Sequence, residues 1–98
     1  MNYSFIISIS HPSLKGHFPN NPVVPGVVIL DEVINIVKKI KPEFILTTIP
    51  MVKFTQPLLA EQEVIVEIKE KSDTNISFNC FYNDTKIVTG QLNLKSKL

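Results

Sequence analysis

Apolar and polar residues alternate with a period of two along four stretches of the chain. The apolar positions are Tyr3, Phe5, Ile7 and Ile9; then Val64, Val66 and Ile68; then Ile76, Phe78, Cys80 and Tyr82; and finally Val88, Gly90, Leu92 and Leu94. Such alternation predicts strands that bury one face. Phe44 to Phe54 is also rich in β-forming residues, but Pro50 interrupts it, which predicts a bent strand or one at a sheet edge. Turn-forming residues at Lys71-Ser72-Asp73-Thr74-Asn75 and at Asn83-Asp84 link the last three strands into a meander. The period changes only once. Ile29, Leu30, Val33, Ile34, Ile36, Val37 and Ile40 recur at helical spacing and predict a single helix over Pro25–Ile40. Pro25 suits the first helical position, Lys38, Lys39 and Lys41 complement the dipole at the other end, and Pro42 stops it. One helix with long antiparallel strands predicts an α+β arrangement, an antiparallel sheet wrapped around one central helix.

Composition narrows the partners. At 98 residues the chain is sized for one domain, spanning 1–98. All ten basic residues are lysine, and the net charge is +1. Without arginine, the residue that clamps phosphates and reads bases bidentately, nucleic acid is not the expected partner. A single cysteine, Cys80, excludes an internal disulfide and a multi-cysteine metal site, and its place on the apolar stripe of a strand makes it a core residue. The N-terminus lacks the basic start of a secretory leader. The most apolar run, Val23 to Leu30, is broken by Pro25 and Gly26 and is too short to span a bilayer, so a cytoplasmic protein is expected. A chain this short buries only about 60–65% of its unfolded surface, and pairing with a second copy is the natural remedy.

Candidate chemistry gathers between His11 and Asn35. Four of the seven prolines lie between positions 12 and 25, which makes this stretch a stiff loop and not a disordered one. Both histidines lie in it. His11 precedes Pro12 at a strand end and reads as structural or exposed, whereas His17 stands between Gly16 and the apolar pair Phe18-Pro19. Asp31 sits on the polar arc of the helix with Asn35 and Lys38, and Val27 and Val28 precede it by four and three residues. Neighbours at those spacings touch, so an apolar first turn beside a carboxylate is expected to be covered by something. Glu32 points elsewhere and is expected to be exposed. Val24 offers no side-chain acceptor to the first helical N–H groups, so Gly26 opens a helix start able to donate to a polarised oxygen unless water or another loop caps it. No dense set of metal ligands and no glycine-rich phosphate loop is present.

The run Gly16-His17-Phe18-Pro19-Asn20-Asn21-Pro22-Val23-Val24-Pro25-Gly26-Val27-Val28-Ile29-Leu30-Asp31 resembles the active-site signature of the 3-hydroxyacyl-[acyl-carrier-protein] dehydratases, which have the hot-dog fold. Val52-Lys53-Phe54 followed by Pro57, and the strand around Val88 to Leu94, are similar to that family more loosely. The resemblance implies that His17 takes the C2 proton of a 3-hydroxyacyl thioester. It implies that Asp31, supplied by the other subunit of a dimer, helps the 3-hydroxyl leave as water. Gly26 matches the glycine whose N–H polarises the thioester carbonyl, and Phe18, Pro25, Val27 and Asn35 belong to the substrate site. Asn35 stands where many members carry glutamine. Ala60-Glu61-Gln62-Glu63 lacks the usual Pro-Gly-Asp turn, and the acid is Asp where one major branch has Glu. No cofactor or metal is implied. The implied partner is an acyl carrier protein, whose acidic surface suits a patch of Lys15, Lys38, Lys39 and Lys41. A hot-dog thioesterase, with Asp31 activating water, and a catalytically silent acyl-binding module are the alternative readings.

Overall fold

Val64, Val66 and Ile68 lie on one face of a strand whose alternate residues are polar except for Ile65, and Ile76, Phe78 and Cys80 lie on one face of the next, opposite Ser77, Asn79 and Phe81. In the computed structural model of the chain, which describes residues 1–14 and 23–98, these faces form the floor of the core. The elements are β1 (Asn2–Ile6), a 3-10 turn (Pro12–Leu14), α1 (Gly26–Ile40), β2 (Phe44–Phe54), β3 (Glu63–Ser72), β4 (Asn75–Tyr82) and β5 (Thr85–Ser96). The five strands form one sheet in the order β1-β3-β4-β5-β2, and every pair is antiparallel. The meander β3-β4-β5 is as expected. Its second turn places Asn83 at φ 49° and Asp84 at φ 64°. Asn and Asp tolerate this left-handed region better than other side chains, and two such residues in a row match the twist of a hairpin.

α1 lies on the apolar face of the sheet. Val28, Ile29, Val33 and Val37 point into one cluster with Val64, Val66, Ile76, Phe78, Val88 and Leu92. Val28 is therefore a core residue and does not share the solvent side with Val27 and Asp31, because three residues of helix turn it about 60° away from Asp31. Pro25 caps the helix with extended geometry, φ −59° and ψ 142°, and the helix starts one residue later at Gly26. At the other end the Lys41 ammonium reaches Glu70 Oε1 at 2.8 Å and lies 4.4 Å from the centroid of the Phe44 ring. That commitment removes Lys41 from the expected docking patch.

β2 is an edge strand and is irregular, as Pro50 predicts. Its pairing with β5 slips between Leu46 and Thr48 and again between Thr48 and Met51. Asn93 spans the irregular stretch: its side-chain amide donates to Thr48 Oγ1 at 3.0 Å and its Oδ1 accepts from Asn75 at 2.7 Å. β1 stops at Ile6, short of the expected strand. Ile7 is buried beyond it, but Ile9 is 58% exposed, because the chain turns at Ser8 and the alternation ends there.

Candidate active site

The start of α1 is held against the loop that follows β2. Val24 N–H donates to Leu58 O at 2.8 Å, and Val23 pairs with Leu59 in a short antiparallel bridge. Both Val24 and Leu58 are buried, so this strap is fixed by core packing as well as by hydrogen bonds. It presents the first turn of the helix to a cleft of about 420 Å³ whose lining among the described residues is mostly apolar, Val23, Val24, Ile29, Phe54, Pro57 and Leu58, with Gly26, Thr55 and Gln56.

The chemistry of that first turn follows from its missing cap. Helix N–H groups at the N-terminus have no intrahelical acceptor. Pro25 O accepts from Val28 and Ile29, at 3.0 and 3.4 Å, and no side chain caps the turn. Among the described residues the Gly26 and Val27 N–H groups meet no acceptor. Gly26 thus offers an oriented backbone donor, with the positive end of the helix dipole behind it, at the wall of an apolar cleft. A side chain could not replace its hydrogen without movement. A Cβ built there would stand 2.7 Å from Phe54 Cζ and 2.9 Å from Phe54 Cε1.

Asp31 lies on α1 facing outward. It is exposed and does not line the cleft, and among the described residues its carboxylate has no hydrogen-bond or ion-pair partner. Val27, one turn before it, is 65% exposed, and Asn35, one turn after it, is also exposed. Pro25, Val27 and Asn35 stay outside the cleft lining, and Gly26 is the expected substrate-site residue that joins it. Glu32 is half-buried, more enclosed than its place beside the polar arc predicts. His17, Phe18 and Lys15 lie outside the described residues. His11 is structural: its Nδ1 accepts from Ser13 N at 3.1 Å and contacts Ser13 Oγ at 2.8 Å, closing the 3-10 turn.

Two contributors escape single-sequence reasoning. Leu58 is 1% exposed within a loop whose pattern shows no periodicity. Phe54 closes a strand at its edge, and only the tertiary fold brings its ring to Gly26. Glu61 adopts φ 67°, so the turn keeps a left-handed residue without glycine; its N–H donates to Ile7 O at 2.8 Å, and Gln62 Oε1 accepts from Leu59 N at 2.9 Å.

An antiparallel sheet around a central helix, with a glycine-opened helix start at an apolar cleft, defines a hot-dog protein. The chain belongs to the ApeI-like family, described as ApeI dehydratase, whose model matches residues 1–91. Similar curated proteins are 3-hydroxyacyl-[acyl-carrier-protein] dehydratases FabZ. That of Xanthomonas euvesicatoria pv. vesicatoria is 25% identical over 91 residues, covering 83% of this chain and 59% of its own. That of Brucella ovis is 30% identical over 81 residues, covering 72% and 52%. The chain therefore spans a little over half the length of these relatives. Among solved structures, the dehydratase heterocomplex ApeI:P from Xenorhabdus doucetiae aligns with a TM-score of 0.83 at 24% identity, over 95% of this chain and 84% of that one. The (R)-hydratase from A. caviae aligns at 0.77 and 15% identity, over 98% and 92%. A probable thioesterase from Bartonella henselae aligns at 0.69 and 8% identity, over 99% and 92%, so the fold is shared across chemistries. Among the described residues no helix is long and apolar enough to cross a membrane.

Proposed function

We propose that the protein is a lyase that removes water from a 3-hydroxyacyl thioester carried on an acyl carrier protein, giving the trans-2-enoyl thioester. The observation that carries this reading is Gly26, a helix N–H that no described residue caps, at the wall of a mostly apolar cleft. A donor there polarises the thioester carbonyl and stabilises the enolate-like oxygen that develops as C2 loses its proton. In this proposal His17 accepts the C2 proton, the C2–H electron pair forms the C2=C3 bond, and the C3–O bond breaks. Asp31, acting as an acid, delivers the proton that lets the hydroxyl leave as water. Within one chain Asp31 does not line the Gly26 cleft, and exposed Val27 stands beside it. Both facts support a site assembled from two copies, in which the partner's helix brings the carboxylate. Lys38 and Lys39, both exposed, remain available for the acidic carrier.

The test is incubation with a 3-hydroxyacyl carrier-protein thioester, followed by mass. Loss of one water is expected with the native chain, and His17→Ala and Asp31→Asn are expected to lower the rate at least 100-fold, the scale of a lost general acid or base. Release of the free carrier thiol would instead establish the thioesterase reading. An unchanged substrate would sink both.

A further inference from the structure

Phe54 meets Gly26 ring tip first. Three ring atoms lie 2.7–3.1 Å from the position a Gly26 Cβ would take. The backbone around it is fixed: Phe54 pairs with Val88, Thr55 N–H donates to Ile87 O at 2.8 Å, and Thr55 Oγ1 donates to Lys86 O at 2.8 Å. Yet Phe54 is 48% exposed and forms part of the cleft wall. The result is an anchored aromatic that fills the space directly beside the Gly26 donor. An N–H···O contact of about 2.9 Å puts the acyl carbonyl carbon roughly 4 Å from the Gly26 nitrogen, and C2 one bond further. Phe54 and Gly26 line the same cleft, so the ring stands beside the space that an acyl group held by the Gly26 N–H would enter.

We propose that Phe54 is a specificity-determining residue which restricts the site to acyl groups unbranched at C2. This inference rests on the proposed dehydration at the Gly26 cleft. A methyl at C2 needs the volume the ring occupies, and the pinned backbone prevents the strand from yielding, so a 2-methyl-3-hydroxyacyl thioester is rejected. It still carries a removable C2 hydrogen, so its exclusion is steric and not chemical.

The experiment compares linear and 2-methyl-branched 3-hydroxyacyl pantetheine thioesters with the native chain, Phe54→Leu and Phe54→Ala. The native chain is expected to favour the linear substrate at least 10-fold in kcat/KM, the discrimination one methyl group can supply in an apolar site. Phe54→Ala is expected to shrink that ratio at least 5-fold, with Phe54→Leu between. An unchanged ratio in a folded Phe54→Ala protein overturns the proposal. A second arm separates this outcome from failure of the dehydratase reading. The chain has no tryptophan, so Phe54→Trp supplies a single fluorophore at the cleft. Unreactive saturated hexanoyl and 2-methylhexanoyl pantetheine are titrated against it, and against the native chain by calorimetry. Tighter binding of the linear compound to the native chain, with a tryptophan shift on binding, supports the steric role even if no substrate loses water. Equal binding of the two compounds, or no tryptophan response, overturns it even if dehydration proceeds.

Discussion

Gly26 and Cys80 show how one residue's setting decides its chemistry. Alanine at position 26 would crowd the Phe54 ring, whose backbone is pinned to β5 although the residue is half-exposed. We expect Gly26→Ala to lower stability by about 1–2 kcal/mol, while kcat/KM on the 3-hydroxyacyl thioester falls more than 10-fold. Denaturant titration and steady-state kinetics on one preparation separate the two effects. Cys80 is wholly buried, and burial pushes its thiol up to about 12 from 9.0. Above pH 9.0 the unfolded thiol ionises while the folded one keeps its proton, so the unfolded chain gains and stability falls until about pH 12. Across that window the stability of the native chain relative to Cys80→Ala should drop by up to about 1.4 kcal/mol per pH unit, and below it the difference should be flat. Alkylation of the native thiol at pH 8 should be far slower than in denaturant. The strand period already marked Cys80 as core. Nothing in the period marked Val28, since an apolar residue in the first helical turn can face either way until the helix has a sheet to lie on.

At the scale of elements, the meander was legible because each strand alternates cleanly and each turn carries its own chemistry. β2 was legible only as an irregular strand. Its place at the edge beside β5, its two register slips and the Asn75–Asn93–Thr48 bridge depend on a partner far away in sequence. Gly90 fits this pairing closely: a Cβ there would stand 2.6 Å from Phe78 Cε1 and 2.9 Å from the Met51 carbonyl oxygen. Phe78 is 1% exposed and the Met51 oxygen belongs to a paired backbone, so neither can retreat cheaply. Gly90→Ala should destabilise the protein by about 2–3 kcal/mol in thermal or denaturant unfolding, more than Gly26→Ala, because here the obstacle is core and there it is a half-exposed side chain at the cleft wall.

For the whole molecule, the exposed row of Val27, Asp31 and Asn35 is the feature that a second copy would cover. Gel filtration of the native chain should give twice 11.1 kDa. Val27→Asp should return it to a monomer with unchanged circular dichroism and with no dehydration of the 3-hydroxyacyl thioester. A native monomer that still dehydrates would remove the need for a carboxylate from the partner. The Val27 position is suited to this test because it is 65% exposed in one chain, so the substitution leaves the core untouched.

The amino-acid sequence alone determined the meander strands, the single helix, and a helix start with a glycine and no side-chain acceptor of its own, because periodicity and local capping are set by residues within a turn or two of each other. It also carried the His17-to-Asp31 signature by which the family is legible. Tertiary structure alone decided that Val24 and Leu58 strap the helix start to the loop after β2, that Phe54 stands over Gly26, and that Lys41 is spent on Glu70. These contacts join residues about thirty positions apart, and no local pattern encodes such a meeting. It arises when the sheet folds over the helix and both bury the same apolar face.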